Sequence, residues 1–508
     1  MKRMSSNSNS KRLIIKQRLN SFSSLFVIRY SLFIPFESPF LFTQTMYDTI
    51  IIGAGMSGLS AGCRLAHYDK KVCILEKHSL IGGLNSFYRQ HGRDHDVGLH
   101  AVTNYAEKGV KRGPLNRLLR QLRLTWEELA LVPQLGSKIV FPDCTLNFTN
   151  DFRCFEEQVA KFFPKEIDGL RQLVSRLVDY NQMGEFPADV SAREVVCSCI
   201  KDPSLVEMIF CPLMYYGSAR QRDMDFNQFS IMFRSIFLEG FARPWEGVRV
   251  LLRTLLERFR KAGGELRLKA GVKRLLMDSA KNVCGVVLED DTELEAKTVL
   301  SSAGQRETLR LCQDYLDDKS VMDSCKPGEL GFVETISVLD RQPKTFGHGD
   351  TIVFFNDSEN FDYEKPQDFC DLRSGVICSP NNFAYSEPLK EGVIRITALA
   401  NYDLWNSLPK EEYKAQKKEW YAKITETASR IIPDFRPYMI DSDMFTPKTV
   451  YRFTGHENGA IYGAPNKNYA GTMPFKNLFV CGTDQGMVGI IGAIISGITV
   501  VNKYLLSN

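Results

Sequence analysis

The chain has 508 residues, 44% of them hydrophobic and 24% charged, which is the balance of a folded globular protein too long for one simple core. Two domains or one large interleaved fold are expected, and a disordered chain is excluded. A net charge of only +4 argues against a nucleic-acid partner, and the 13 cysteines are scattered, with Cys197 and Cys199 the one close pair. They show no CxxC pair and no Cys/His zinc spacing, so reduced thiols are expected.

Residues 1–46 differ from the rest. Lys2, Arg3, Lys11, Arg12, Lys16, Arg18 and Arg29 all precede the first acid, Glu37, in a serine-rich background. Such a segment reads as an organellar transit peptide or, since Met46 immediately precedes the first strand, as an over-extended start. A cytoplasmic location is expected, or a plastid if the segment is a transit peptide. The apolar part near Phe22–Phe42 is broken by Arg29, Pro35, Glu37 and Pro39, and falls short of the roughly 20 apolar residues of a spanning helix.

Tyr47–Ile52 reads as a buried strand, rich in β-branched residues. "GAGMSG" follows, then the apolar spacing of a helix, then a second strand over Lys71–Leu75 that ends at Glu76. Gly53 permits the tight turn, Gly55 lets backbone approach a pyrophosphate, and Gly58 lets helix pack on strand. The helix N-terminus offers unpaired N–H groups to phosphates. Glu76 lies about 20 residues beyond the glycines, where an acid holds a ribose hydroxyl. To this point NAD and FAD are both open. Two further glycines, Gly82 and Gly83, follow within one short loop, and then "HDVGLHAV" with Asp96 and Gly98.

His91, His95 and His100 lie close together in this region, but the loop offers no firm scaffold or further partner, so no metal is assigned. Helical spacing follows over residues 155–180, broken at Pro164. A stretch rich in Met, Phe and Ile then runs from Phe210 to Phe241. That stretch reads as core helices or as a lipid-facing entrance, with Arg220, Arg222 and Arg234 available to lipid phosphates. Val248–Lys261 has the pattern of an amphipathic helix, Gly263-Gly264 turns the chain, and strands follow from Val272 with a hairpin turn near Asp290-Asp291. "TIVFFN" and "GVIRITALA" read as strands that wall a pocket. The chain closes with a short strand over Leu478–Cys481, a turn at Gly482-Thr483-Asp484 and an apolar run from Met487 to Val501. The run is too short to span a membrane. Its small residues recur every three or four positions, giving a smooth helical face, and a helix starting near Gly489 aims its N-terminus at an anion or a ring edge. No second GxGxxG, no GxSxG and no P-loop occurs.

The run GxGxxG, acid, Gly82-Gly83, Asp96-x-Gly98, with "CGTDQGMVGIIGAIISG" some 400 residues later, resembles the flavin amine oxidase superfamily. Within it the resemblance is to phytoene desaturases, carotenoid cis–trans isomerases and retinol saturases. The fold this implies is α/β, a discontinuous Rossmann-like FAD-binding domain with an interleaved α+β substrate domain. The FAD domain would comprise residues 47–105, 244–310 and 470–508, and the substrate domain residues 106–243 and 311–469. The resemblance further implies FAD as cofactor, with Gly82 and Gly83 against its pyrophosphate and Val272 giving backbone bonds to adenine. It implies Gly482 and Asp484 at the ribityl–phosphate portion and Gly489 facing the isoalloxazine. One departure from phytoene desaturases stands before the middle helix, where their proline and glycine pair is replaced by Pro244-Trp245-Glu246-Gly247. The implied activity moves a hydride to or from flavin on a long apolar polyene, giving desaturation, saturation or isomerisation. The partners implied are a lipophilic substrate, a membrane surface bound peripherally, and a quinone, oxygen or a soluble reductant that exchanges electrons at the flavin. Such chemistry needs few titrating side chains, so no catalytic residue is assigned. Two other readings stand beside it: an amine oxidase holding its amine between aromatic residues such as Tyr451 and Tyr462, and a non-catalytic FAD-stabilised binding protein.

Overall fold

The computed structural model describes residues 46–179, 189–358 and 360–507. The extension over residues 1–46 therefore lies, Met46 apart, outside the described residues. Among these, the first of two seven-stranded sheets runs in the order Val272–Met277, Val283–Leu288, Glu293–Ser301, Tyr47–Ile52, Val72–Glu76, Glu265–Leu268, with Leu478–Val480 also paired to Glu293–Ser301. Tyr47–Ile52 is parallel to both neighbours and almost wholly buried, which explains its unbroken apolar run. The nine-residue strand Glu293–Ser301 serves two partners. Its first half pairs antiparallel with Val283–Leu288, and its second half pairs parallel with Tyr47–Ile52 and Leu478–Val480.

Helices cover the sheet on one face. Met56–Ala66 packs there with Val248–Lys261 and Gly489–Val500 around Leu59, Leu255 and Ile494. The C-terminal helix uses its small residues against the first helix: a Cβ on Gly497 would lie 2.2 Å from the Ser57 carbonyl oxygen, and Ser60 Oγ donates to Ile494 O at 3.0 Å. Of the described helices, none is long and apolar enough to cross a membrane.

The second sheet has the order Met439–Phe445, Gly331–Leu339, Gly392–Ala400, Ser374–Cys378, Ile352–Asn356, Ser137–Val140, Thr145–Phe148. Its pairs are antiparallel except Ile352–Asn356 with Ser137–Val140. One face packs on the long helix Lys410–Ile431 through Ile396, Trp420 and Ile424. The other packs on Pro203–Gly217 and Phe226–Phe233 through Phe354, Phe210 and Phe229. The architecture is thus mixed α/β, a Rossmann-like sheet assembled from separated stretches and interleaved with an α+β body.

The reading of Phe210–Phe241 as a lipid-facing entrance is corrected here. Phe210, Phe229, Phe233, Phe237 and Phe241 are fully buried. The two helices that carry most of this stretch are apolar all round rather than along one stripe, and a helix of that kind sits inside. The three arginines are also engaged: Arg220 pairs with Asp189, Arg222 with Glu364 and Arg234 with Glu239. The stretch is core.

Candidate functional site

The turn after Tyr47–Ile52 is built from glycines with two different jobs. Gly53 has φ of +93°, and a Cβ on Gly58 would lie 2.0 Å from the Gly53 carbonyl oxygen, so both are needed for the turn itself. Gly55 has ordinary extended backbone at φ −75° and ψ −178°, and a Cβ there would meet only Gly82 O, at 3.9 Å. A Cβ on Gly83 would meet only Gly55 Cα, at 3.7 Å. The loop carrying Gly82 and Gly83 bridges to the first turn, with Gly82 N–H donating to Ala54 O at 2.9 Å. The two loops therefore meet backbone to backbone, and the gap beside Gly55 and Gly83 receives a side chain from neither. The first helix begins at that gap with no side-chain cap and no acid in its first turn, which leaves its N–H groups for an anion.

Glu76 closes the same end. It is buried, and its carboxylate accepts from the backbone N–H of Ala54 and of His78, each at 2.9 Å. A carboxylate has about four acceptor positions, so it retains capacity for ribose hydroxyls. Val272 starts its strand two residues beyond Ala270, whose N–H donates to Glu76 O at 2.9 Å. Gly482 has φ of +103°, its N–H donates to Ser496 Oγ at 2.7 Å, and a Cβ there would approach Ser57 Oγ to 3.2 Å. The sequence-derived residues thus gather at one end of the first sheet. Asp484 is buried nearby, but its two oxygens accept from the backbone N–H of Gln305 at 2.6 Å and of Ala464 at 2.7 Å. Its direct partners are protein backbone, and what it visibly does is hold three loops together.

Gly489 opens the C-terminal helix with φ of +74° and, like the first helix, without a side-chain cap or an early acid. A Cβ on Gly489 would lie 3.4 Å from Thr103 Oγ1. Thr103 belongs to the loop that also carries His100, three residues earlier and therefore within about 10 Å by chain reach. Val488, just before the helix, is buried in the same cluster against which Ala101, Tyr216, Ile461 and Tyr462 pack, each only partly shielded.

The three histidines separate. His91 Nδ1 lies 3.0 Å from Asp441, His95 is buried against Tyr88, and His100 Nε2 lies 3.0 Å from both oxygens of Glu334. Burial alone would raise the Glu334 pKa, but Arg395 and His100 hold it down at about 2. Arg395 contacts Glu334 at 2.5 Å and donates to Leu99 O and Val97 O, and Arg243 pairs with Asp96 and donates to Leu99 O and His100 O. Two buried arginines thus clamp the backbone of the 97–100 loop. Sequence reasoning assigned no role to Glu334, Arg395, Arg243 or Tyr216. They come from separate strands and helices, and no local spacing marks them. His100 alone carried a signal, its place beside the flavin-domain loop. Of the two tyrosines considered for an amine cage, Tyr451 is a surface residue beside Tyr402, whereas Tyr462 points inward and donates to Tyr215 O at 2.6 Å.

Residues 51–122 match the family described as NAD(P)-binding Rossmann-like domain. The chain is 23% identical over 480 residues to the chloroplastic prolycopene isomerase of Arabidopsis thaliana, covering 86% of this chain and 78% of that one. It is 22% identical over 542 residues to the all-trans-retinol 13,14-reductase of Danio rerio, covering 91% of this chain and 86% of that one. A solved putrescine oxidase, redesigned in its cofactor binding, superposes with a TM-score of 0.62 at 14% identity, covering 91% of this chain and 99% of that one. Prolycopene isomerases and all-trans-retinol 13,14-reductases are therefore homologues of this chain, and its fold is that of the flavin amine oxidases.

Proposed function

We propose that the protein is an FAD-dependent oxidoreductase acting on a long apolar polyene of carotenoid or retinoid type. The observation that carries this reading is the gap beside Gly55 and Gly83, kept clear of side chains at an uncapped helix N-terminus. In this reading residues 47–105, 244–310 and 470–508 hold the cofactor, and residues 106–243 and 311–469 hold the substrate. Gly55, Gly82 and Gly83 receive the pyrophosphate on the turn that Gly53 and Gly58 make possible, Glu76 holds the ribose, and the backbone at Val272 the adenine. Gly482, Asp484 and Gly489 shape the opposite end. Bound flavin supplies hydride exchange. The chain's own residues hold the polyene in the partly shielded apolar surround of Tyr216, Ile461, Tyr462 and Val488, and keep water from it.

The test is purification of the protein and acid precipitation. Flavin released to the supernatant and absent from the pellet is expected, and colourless protein overturns the cofactor assignment. Incubation with prolycopene and with all-trans-retinol, each with reduced and with oxidised flavin, then separates isomerisation from saturation and desaturation. Amine turnover with peroxide release would favour an amine oxidase. Intact FAD with no turnover of any of these would favour a binding protein. The external electron partner is a quinone, oxygen or a soluble reductant.

A peripheral membrane contact belongs to this reading, because the substrate class is lipophilic. Four exposed apolar side chains support it: Leu80, Leu268, Tyr451 and Phe453, each 41–50% accessible. Three chain segments bring them near one another. Lys269 N–H donates to His78 O at 3.0 Å, the His78 and Phe453 rings are 5.3 Å apart, and Arg452 lies over Phe453 at 5.4 Å. Lys269 and Arg452 give the patch the charge an anionic bilayer attracts, while Lys77 pairs with Glu289. Flotation with phosphatidylserine vesicles should weaken in Leu80→Glu/Phe453→Glu, while flavin content stays. Equal flotation of both proteins removes this surface. The plastid is the location that fits if residues 1–46 are a transit peptide.

A further inference from the structure

The His100–Glu334 pair has the construction of an oriented imidazole. Glu334 is held ionised by Arg395, so its oxygens only accept hydrogen bonds. Thr397 Oγ1 donates its proton to Glu334 Oε2 at 2.7 Å, so toward His100 Nε2, 3.2 Å away, it also only accepts. Both neighbours therefore require the hydrogen of His100 on Nε2. In the neutral ring Nδ1 is then left with the lone pair, and it makes no hydrogen bond among the described residues. The His100 side chain is 13% accessible, so the ring is not wholly sealed in the core.

Aromatic and apolar groups lie near the ring. The His100 and Tyr216 rings are 6.2 Å apart, and the buried Tyr216 hydroxyl has no hydrogen-bond partner. Tyr462 and Val488 belong to the same cluster, Val488 immediately before the Gly489 helix. A buried hydroxyl without a partner is costly, and one on a ring that neighbours the imidazole marks a place where a ligand completes the packing.

Resting on the FAD-dependent reading above, we propose that His100 exchanges a proton with the substrate through Nδ1, and that Glu334 is the positioning residue that fixes its tautomer. In the desaturating direction, a C–H bond breaks and its proton passes to Nδ1. The electron pair of that bond becomes the new C=C bond, and the adjacent carbon gives up its hydride to the oxidised flavin, the oxidant of the reaction. In the saturating direction the reduced flavin is the hydride source and the imidazolium returns the proton. The charged and titratable groups around the His100–Glu334 pair are Arg395, Arg243, Cys378, Tyr216 and Tyr462.

The test uses the holoprotein with prolycopene and all-trans-retinol as probes. His100→Gln should keep bound flavin and melting temperature while turnover per flavin falls at least about 100-fold, the low end for a lost general acid–base group. The same variant should lose one limb of the pH–rate profile. Glu334→Gln, compared per bound flavin, should shift that limb rather than remove it. In the unmodified protein, nitrogen-15 histidine spectra should show the Nε2–H tautomer for His100. Turnover within threefold of wild type with an unchanged profile overturns the inference, and so does an Nδ1–H tautomer. Protein that lacks flavin or converts neither polyene overturns the functional reading instead, and the tautomer then decides whether the pair is built as described.

Discussion

The nucleotide end of the first sheet and the histidine dyad beside the second sheet are built by opposite means. At the first, the proposed function rests on side chains that are not there: Gly55 and Gly83 leave a gap open beside them, and what the site offers a ligand is backbone N–H groups. At the second, the proposed function rests on charges forced into the interior. Glu334 and Arg395 are 6% and 3% accessible, and Asp96 and Arg243 are 6% and 8%. A gap costs little to maintain, whereas buried ions persist only while each has its partner. Stability and function should therefore separate cleanly at the cradle and remain entangled at the dyad.

The largest effect is expected where the entanglement is greatest. Glu334→Leu removes the partner of Arg395 and leaves a buried guanidinium uncompensated, which costs about 3–5 kcal/mol. Urea unfolding monitored by circular dichroism should show a fall of that order. Glu334→Leu/Arg395→Met should recover a large part, because an apolar pair of similar volume removes both ions at once. A double variant as unstable as the single one would mean that the charges themselves hold the 97–100 loop.

A second effect on the same side of the comparison is a pH dependence. His348 is fully buried just before the strand Ile352–Asn356, with neither ring nitrogen hydrogen-bonded. Burial depresses its pKa to about 4, with Asp350 and Lys138 as the nearby charges. The folded pKa lies below the unfolded one near 6.5, so the folded state favours neutral imidazole. The contribution is fully present above about pH 6.5 and is lost progressively as pH falls toward 4, in total about 3 kcal/mol. His348→Gln should flatten that part of the stability curve relative to wild type. Parallel curves for the two proteins between pH 7 and 4 would show that His348 is not the group responsible.

How much was legible in the sequence follows from the same contrast. A backbone site must be written locally, since consecutive glycines set consecutive torsions. Hence the elements Tyr47–Ile52, Val248–Lys261 and the helix from Gly489 read directly, with Glu76 at the end of its strand. The dyad is written across 234 positions, His100 to Glu334, and only the register of Gly331–Leu339 against Gly392–Ala400 sets Glu334 opposite Thr397. No local pattern encodes that register pairing. The Phe-rich stretch failed differently. Its composition fits either an interface or an interior, and only the Phe155, Phe237 and Phe148 packing shows which.

The smallest stability effect belongs to the cradle, and it is the sharpest test of the contrast. Gly58 and Gly55 lie three residues apart on the same turn. Gly58→Ala forces a Cβ to within 2.0 Å of backbone, so something must shift, and overpacking of this kind costs about 1–3 kcal/mol. Gly55→Val adds a larger side chain to a residue whose φ of −75° and ψ of −178° suit valine, in space where the nearest atom is 3.9 Å from the new Cβ. The flavin-free protein should therefore melt within about 0.5 kcal/mol of wild type, as surface substitutions do. The same side chain occupies the approach that backbone needs to reach a pyrophosphate, so flavin retention after gel filtration should vanish. Loss of flavin with stability unchanged is the expected pairing. Full flavin occupancy in Gly55→Val would move the nucleotide out of this gap.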